Sequence, residues 1–330
     1  MSRKPVSILR GDLQAHPAVA AWSRLRPARV TPDAIQVLRE KPKTSVYRLE
    51  GVAPGSPAGD RAVIAKRCVS AKASSELTVY EHILPHLPVT APRYYGAHAD
   101  EGQTCWLFLE DVGDMRYVES DGTHLGVTAR WLALFHTSAA RLGAARGLPD
   151  GGPGRYLAHL SSGREKIRQR LASPALLTGP EVAMQQSIVA LQDALEARWS
   201  WIERSCTGLP ATLVHGDYRP KNVHLQAGGA GLVCYPIDWE TAGWGVPAAD
   251  LSRIDLQAYS SGVRECWDVS PETLERLARI GQIFRALAAI DWESSTLRFD
   301  SRPVMNGVMC SLAVLGARLA DAVRTAGVPA

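Results

Sequence analysis

The run His215-Gly216-Asp217-Tyr218-Arg219-Pro220-Lys221-Asn222, followed by Ile237-Asp238-Trp239-Glu240, constrains this chain more than any other segment. It sets an aspartate, an asparagine five positions later and a second aspartate sixteen positions after that in one short stretch. An apolar run at 211–214 leads in. Strands are expected at 223–226 and 232–237, around a Gly228-Gly229-Ala230-Gly231 turn. Such a hairpin brings the side chains of Asn222 and Asp238 together. Phosphoryl transfer from a nucleotide needs a carboxylate to orient the attacking hydroxyl and oxygen donors to hold Mg²⁺ on the phosphates. Asp217 meets the first need, and Asn222 with Asp238 meets the second. The spacing therefore points to a kinase.

Size and composition are compatible with that reading. At 330 residues the chain can bury a substantial core as one large domain or two lobes. The 37 basic and 33 acidic residues are spread along the sequence without a basic block, so neither nucleic acid nor a membrane is expected as a partner. The six cysteines show no CxxC and no paired Cys/His spacing; reduced thiols and a cytoplasmic location are the expectation. The first residues lead into mixed polar sequence without a signal-peptide core. No run is read as approaching the roughly 18 apolar residues of a membrane span.

Along the chain, residues 1–30 read as an amphipathic helical extension with Val19, Trp22 and Leu25 at helical spacing. Strands are expected at 34–38, 46–50, 62–68, 93–98 and 104–109, the second and third joined by a turn over 54–60. One helix, 73–84, lies among them and is ended by Pro85. After residue 110 the pattern turns helical, with periods at 125–139, 181–206 and 270–326 and a Gly/Pro loop at 149–155. The expected division is thus 1–110, an N-terminal lobe, and 111–330, a C-terminal catalytic and acceptor-binding lobe.

The two motifs, with Pro247-Ala248-Ala249-Asp250-Leu251, resemble the aminoglycoside phosphotransferase family, a branch of the protein-kinase-like fold that includes choline kinase-like enzymes. The resemblance implies an α+β, protein-kinase-like bilobal fold: a small β-rich N-lobe with one helix and a larger, mainly helical C-lobe. It implies ATP or GTP as phosphoryl donor, Mg²⁺ as cofactor and a hydroxyl of a small molecule as acceptor. Lys66, on the strand Ala62-Val63-Ile64-Ala65-Lys66, looks like the lysine that contacts the nucleotide phosphates. Glu76 would hold it as an ion pair, with Glu81 the competing choice on the same helix. His215 and Asp250 would brace the catalytic loop. Arg219 is a candidate contact to the transferred phosphate, against a surface ion pair. The turn Lys41-Pro42-Lys43-Thr44-Ser45 stands where a glycine-rich phosphate loop is expected but has no glycine; Thr44 and Ser45 could donate to phosphate oxygens instead.

Other polar and aromatic residues have blander readings. His136 lies on an apolar helix face and reads as a packed residue. Trp131, Trp201 and Phe284 read as core, while Trp239, Trp244, Trp267 and Trp292 could each stack on a ligand or pack. Only 12 positions separate Asp238 from Asp250, too few for a regulatory loop or peptide platform, so the acceptor is expected to be small. Residues 251–330 hold nine acidic residues, nine arginines and no lysine. That balance favours a neutral or weakly charged acceptor (a nucleoside- or macrolide-type antibiotic, or a sugar) at least as much as a polycationic aminoglycoside. Inactivation of an antibiotic is the leading expectation. A housekeeping kinase for a choline-like, amino-alcohol or sugar substrate, and a nucleotide-binding scaffold without turnover, remain alternatives, and the oligomeric state is open.

Overall fold

The computed structural model describes residues 7–26, 31–41, 44–52, 62–100, 103–143, 147–229 and 231–329. Two compact units divide the chain: Met1–Val118 with Pro220–Thr241, and Glu119–Arg219 with Ala242–Ala330.

The first unit is built on an antiparallel sheet. Its strands are β1 (Ser7–Leu9), β2 (Ile35–Lys41), β3 (Thr44–Leu49), β4 (Val63–Val69), β5 (Tyr94–Ala99) and β6 (Thr104–Glu110), in the order β1-β2-β3-β4-β6-β5. Alternation along a strand sends successive side chains to opposite faces. On one face Val63, Ala65, Trp106 and Phe108 form a core with Val19 and Trp22 of helix α1 (Pro17–Leu25). On the other, Lys66 and Cys68 lie under helix α2 (Ser70–Thr78).

Residues 1–30 are therefore not one helical extension. Ser7–Leu9 pairs with β2, and α1 begins only at Pro17, whose missing N–H suits a first helical position capped by His16. The helix expected at 73–84 starts at Ser70, passes into a π-helical turn over Val79–Ile83, and ends in a 3₁₀ turn, Leu84–His86, that contains Pro85. The turn expected at 54–60, and Pro42 and Lys43 of the expected phosphate-loop segment, lie outside the described residues.

The second unit starts with α3 (Gly122–Leu142), α4 (Pro153–Leu171), α5 (Gly179–Ala197), α6 (Trp199–Ser205) and β7 (Thr212–Val214). After Arg219 the chain adds the hairpin β8 (Val223–Gly228) and β9 (Gly231–Pro236) to the first unit. It then resumes the second unit with β10 (Gly243–Gly245), which pairs with β7, and with α7 (Ala248–Leu251), α8 (Leu256–Val263), α9 (Pro271–Ser294) and α10 (Arg302–Ala326).

The sequence places that hairpin with the C-terminal half; in the structure it bonds to the end of the N-terminal segment. Tyr117 N donates to Val223 O at 3.2 Å, Leu225 N donates to Met115 O at 2.8 Å, and His224 Nδ1 lies 2.6 Å from Gly113 O. The Gly/Pro loop ends at Gly152, where α4 begins with Pro153. Sequence reading misses α4 because its buried seam is narrow: Tyr156, Leu160, Gly163 and Ile167 are set among charged residues. The single helix expected over 181–206 is two, broken at Arg198.

Among the described residues one helix, α10, is long and apolar enough to cross a membrane by length and composition, contrary to the expectation that no segment approaches this. Its Met305, Val308, Met309, Leu312, Leu319 and Ala322 are buried, and it packs on α9 and α5, so one face of the helix serves a protein core.

Candidate active site

In the first unit, three carboxylates surround one ammonium. Lys66 sits within β4 rather than at its end, so its side chain emerges beneath α2. Its Nζ lies 2.7 Å from Glu76 Oε2, 2.6 Å from Asp238 Oδ1 and 3.0 Å from Glu240 Oε1. Burial alone would lower the lysine pKa, but the carboxylates of Glu76, Asp238 and Glu240 outweigh it and hold the ammonium well above its ordinary value. Glu76, fully buried, is raised to about 7 by that burial and by the neighbouring Asp238 and Glu240, although Lys66 pulls the other way. Glu81 has a different partner, the Tyr94 hydroxyl.

Asp238 is, among the described residues, the one non-glycine with positive φ, at 68°. A left-handed aspartate costs roughly 1–3 kcal/mol and persists only where its surroundings fix it, a pattern that clusters at functional sites. The register of β8 with β9 pairs Val223 with Pro236, and Ile237 N donates to Asn222 O at 2.9 Å. Asn222 and Asp238 are thus held at the same end of the hairpin. An amide oxygen and a carboxylate are hard donors of the kind that suits Mg²⁺. Glu76, Asp238 and Glu240 each offer a carboxylate oxygen within 4.8 Å of the others, which adds to the negative field there.

Thr44 and Ser45 belong to β3 itself, Thr44 opposite Cys68 and Ser45 opposite Arg67. The two hydroxyl residues are half-buried at the start of the strand.

In the second unit, Asp217 is buried and clasped by two guanidinium groups. Arg219 Nε lies 2.9 Å from its Oδ1, and Arg285 Nη2 donates to the same oxygen at 3.0 Å. Arg285 Nη1 also points at Gly216 O, 3.4 Å away. The loop is anchored from below by Asp250, whose Oδ2 accepts from His215 N at 2.7 Å and whose Oδ1 accepts from Gly216 N at 2.8 Å. Gly216 has φ 76°, the left-handed region that glycine enters at no steric cost.

Behind Asp250, His136 Nε2 lies 3.3 Å from Oδ2, and His136 Nδ1 lies 2.9 Å from the Tyr259 hydroxyl. Burial lowers the His136 pKa, so the ring is neutral: it donates from Nε2 to the carboxylate and accepts from tyrosine. Burial would raise Asp250, but the hydrogen bonds it accepts from His136 and from His215 N bring it below the ordinary value. α7, which carries Asp250, is seated directly on α9. A Cβ on Gly281 would come within 1.8 Å of Ala248 O, so only glycine allows the approach.

Sequence reading missed Glu240 and Arg285. Glu240 stands two residues after Asp238 in the motif already singled out, so the signal was present. Arg285 lies 68 positions from Asp217 on a long helix, and no local pattern marks it. Trp239 and Trp267 are buried, as are Trp131 and Phe284.

A lysine held by a helix glutamate over an antiparallel sheet in one unit, and an aspartate loop braced within a mainly helical unit, are features of an α+β phosphotransferase. The chain belongs to the phosphotransferase enzyme family (APH), whose model matches residues 46–260. Among solved structures it is similar to a mutant aminoglycoside 2'-phosphotransferase-IIIa in its GDP complex, at 15% identity and TM-score 0.63 over 93% of this chain and 98% of that one. It is similar to spectinomycin phosphotransferase APH(9)-Ia, in complex with ADP and spectinomycin, at 11% identity and TM-score 0.56 over 92% and 98%. Choline kinase from Cryptosporidium parvum Iowa II aligns at 12% identity and TM-score 0.55 over 87% and 90%. The comparison with curated proteins gives no match. The protein is a phosphotransferase.

Proposed function

We propose that this kinase transfers the γ-phosphate of ATP or GTP to a hydroxyl of a small, neutral or weakly charged antibiotic. The observation that carries the nucleotide half of this reading is the ion pair of Lys66 with Glu76, which also engages Asp238. A fixed ammonium flanked by carboxylates suits nucleotide phosphates bound together with a cation. Lys66 orients the phosphates while Glu76 fixes Lys66. Asn222 and Asp238 would hold Mg²⁺, which when bound neutralises charge on the phosphates.

Asp217 orients the acceptor hydroxyl and accepts its proton as the new P–O bond forms. The transition state is loose, so alignment matters more than base strength, and a carboxylate tied to two arginines suits that task. Arg219 adds positive charge where the transferred phosphoryl group carries its negative charge.

The antibiotic reading draws on neighbours whose structures hold kanamycin or spectinomycin. The equal count of arginines and acids in residues 251–330 speaks for an acceptor without strong positive charge. A choline-like acceptor calls for an aromatic cage; Trp239 and Trp267 are committed to the core, while Trp244 is half-buried and Trp292 exposed. The test is a phosphorylation screen with ATP and GTP, with and without Mg²⁺, across aminoglycosides, macrolides, nucleoside antibiotics, sugars and amino alcohols. Turnover on a neutral antibiotic supports the proposal. Turnover confined to amino alcohols or sugars contradicts the antibiotic reading, and no turnover on any class contradicts both.

A further inference from the structure

We infer that Cys68 and Cys105 form a peroxide-oxidisable pair that closes into a cross-strand disulfide beneath α2. The two residues are direct register partners on β4 and β6, and their sulfurs lie 4.0 Å apart. Directly opposed residues of an antiparallel pair have Cα atoms about 4.5–5.5 Å apart, inside the range of about 4.4–6.8 Å that a disulfide spans. Both side chains face α2, and closure needs rotation of two side chains with no change of strand register.

Both thiols are buried, Cys68 at 1% and Cys105 at 5% exposure, with Ala73 of α2 packed over them and Leu77 beside it. This lid is light. The first turn of α2 has no side-chain cap and no acidic residue. An uncapped first turn frays at low cost, and Ala73 lies in that turn. Hydrogen peroxide is small enough to enter through that opening.

The thiol–thiol hydrogen bond raises the Cys68 pKa and lowers that of Cys105, so Cys105 ionises first. Its thiolate attacks one oxygen of hydrogen peroxide, breaking the O–O bond and leaving a sulfenic acid and hydroxide. The Cys68 thiolate then attacks that sulfur, and the sulfenic oxygen leaves as a second hydroxide. The two thiol protons complete two waters, so two thiols and one peroxide give one disulfide and two waters.

Closing the pair shortens the sulfur separation from 4.0 Å to about 2.05 Å. Ala73 loses its close contact with the sulfurs, and a gap of about 0.5–1 Å already forfeits a quarter to a half of such contact energy. Glu76 stands one turn beyond Ala73 on the same helix, and Lys66 stands two residues before Cys68 on the same strand face. The disulfide thus loosens the helix that holds Lys66.

The experiment uses the full chain with the exposed thiols removed (Cys266→Ser, Cys310→Ser), treated with hydrogen peroxide and then alkylated. Peptide mass mapping should find a Cys68–Cys105 disulfide with loss of two mass units, reversible by dithiothreitol and absent in Cys105→Ser. Hydrogen exchange of Ser70–Thr78 should then run several-fold faster in the oxidised form than in the reduced. Sulfinic acid at either residue without the disulfide, or thiols unchanged after peroxide has oxidised methionines, overturns the proposal. A mapped disulfide with unchanged exchange overturns the link to α2. Neither readout involves nucleotide or acceptor, so failure here is distinct from failure of the proposed activity.

Discussion

Arg285, near the middle of α9, donates from Nη2 to Asp217 Oδ1 at 3.0 Å and so ties the motif aspartate to a helix 68 positions further along the chain. The carboxylate of a motif loop is thereby fixed by a rigid element. Removing the guanidinium takes one of the two arginines from Asp217 and leaves Arg219. Arg285→Ala should lower kcat about 100-fold, as loss of one positioned donor does, with nucleotide affinity unchanged. Arg285→Lys should recover only part of that, because an ammonium cannot reproduce the planar fork. Steady-state kinetics with nucleotide titrations check both.

Lys66 and Glu76 should be strongly coupled. Lys66→Met leaves Glu76, Asp238 and Glu240 facing one another without a counter-charge, and breaking a buried pair costs about 3–5 kcal/mol. Glu76→Gln in that background should restore part of the loss. Urea unfolding of the double-mutant cycle should give a coupling energy above about 1 kcal/mol. Additive single effects would mean the pair is not formed.

Asp250 is predicted to matter for the loop rather than for chemistry. Asp250→Ala removes the acceptor of two buried backbone N–H groups, each costing about 1–3 kcal/mol when left unpaired. The melting temperature should fall by several degrees. Asp250→Asn should fall less, because one side-chain oxygen still accepts.

A pH effect is expected at α5. Hydrogen bonds from Arg302 and from the Thr178 backbone lower Glu181 to about 2. A depressed carboxylate stabilises the fold above its unfolded pKa, about 4.3, and that contribution is lost as pH falls toward 2. Glu181→Gln should therefore unfold at lower urea concentration than the parent at pH 7, and the gap should narrow toward pH 2. A gap independent of pH would contradict the assignment.

Much of the local geometry was legible because the motif residues are close in sequence. Asp217, Asn222 and Asp238 fall within 22 residues, and the β8–β9 register that sets Asn222 beside Ile237 follows from alternating apolar positions and a glycine turn. Lys66 and Glu76 are ten positions apart, on a strand and the helix that follows it. What stayed hidden depends on packing between distant segments. Arg285 reaches Asp217 only because α9 passes under the loop. Helix α4 buries so thin a seam that its charged residues mask the period. Gly281 looks ordinary until Ala248 O is seen against it. The membership of β8 and β9 in the first unit was equally unreadable, since it rests on backbone bonds to Met115 and Tyr117.

The measurement that bears most directly on the central claim is single-turnover phosphorylation by Asp217→Asn alongside calorimetric nucleotide binding. The asparagine keeps the shape and loses the proton acceptor and the charge that draws Arg219 and Arg285. Turnover should drop by about 10²–10⁴-fold while nucleotide binds as in the parent. Parent-like turnover in that variant would contradict the account.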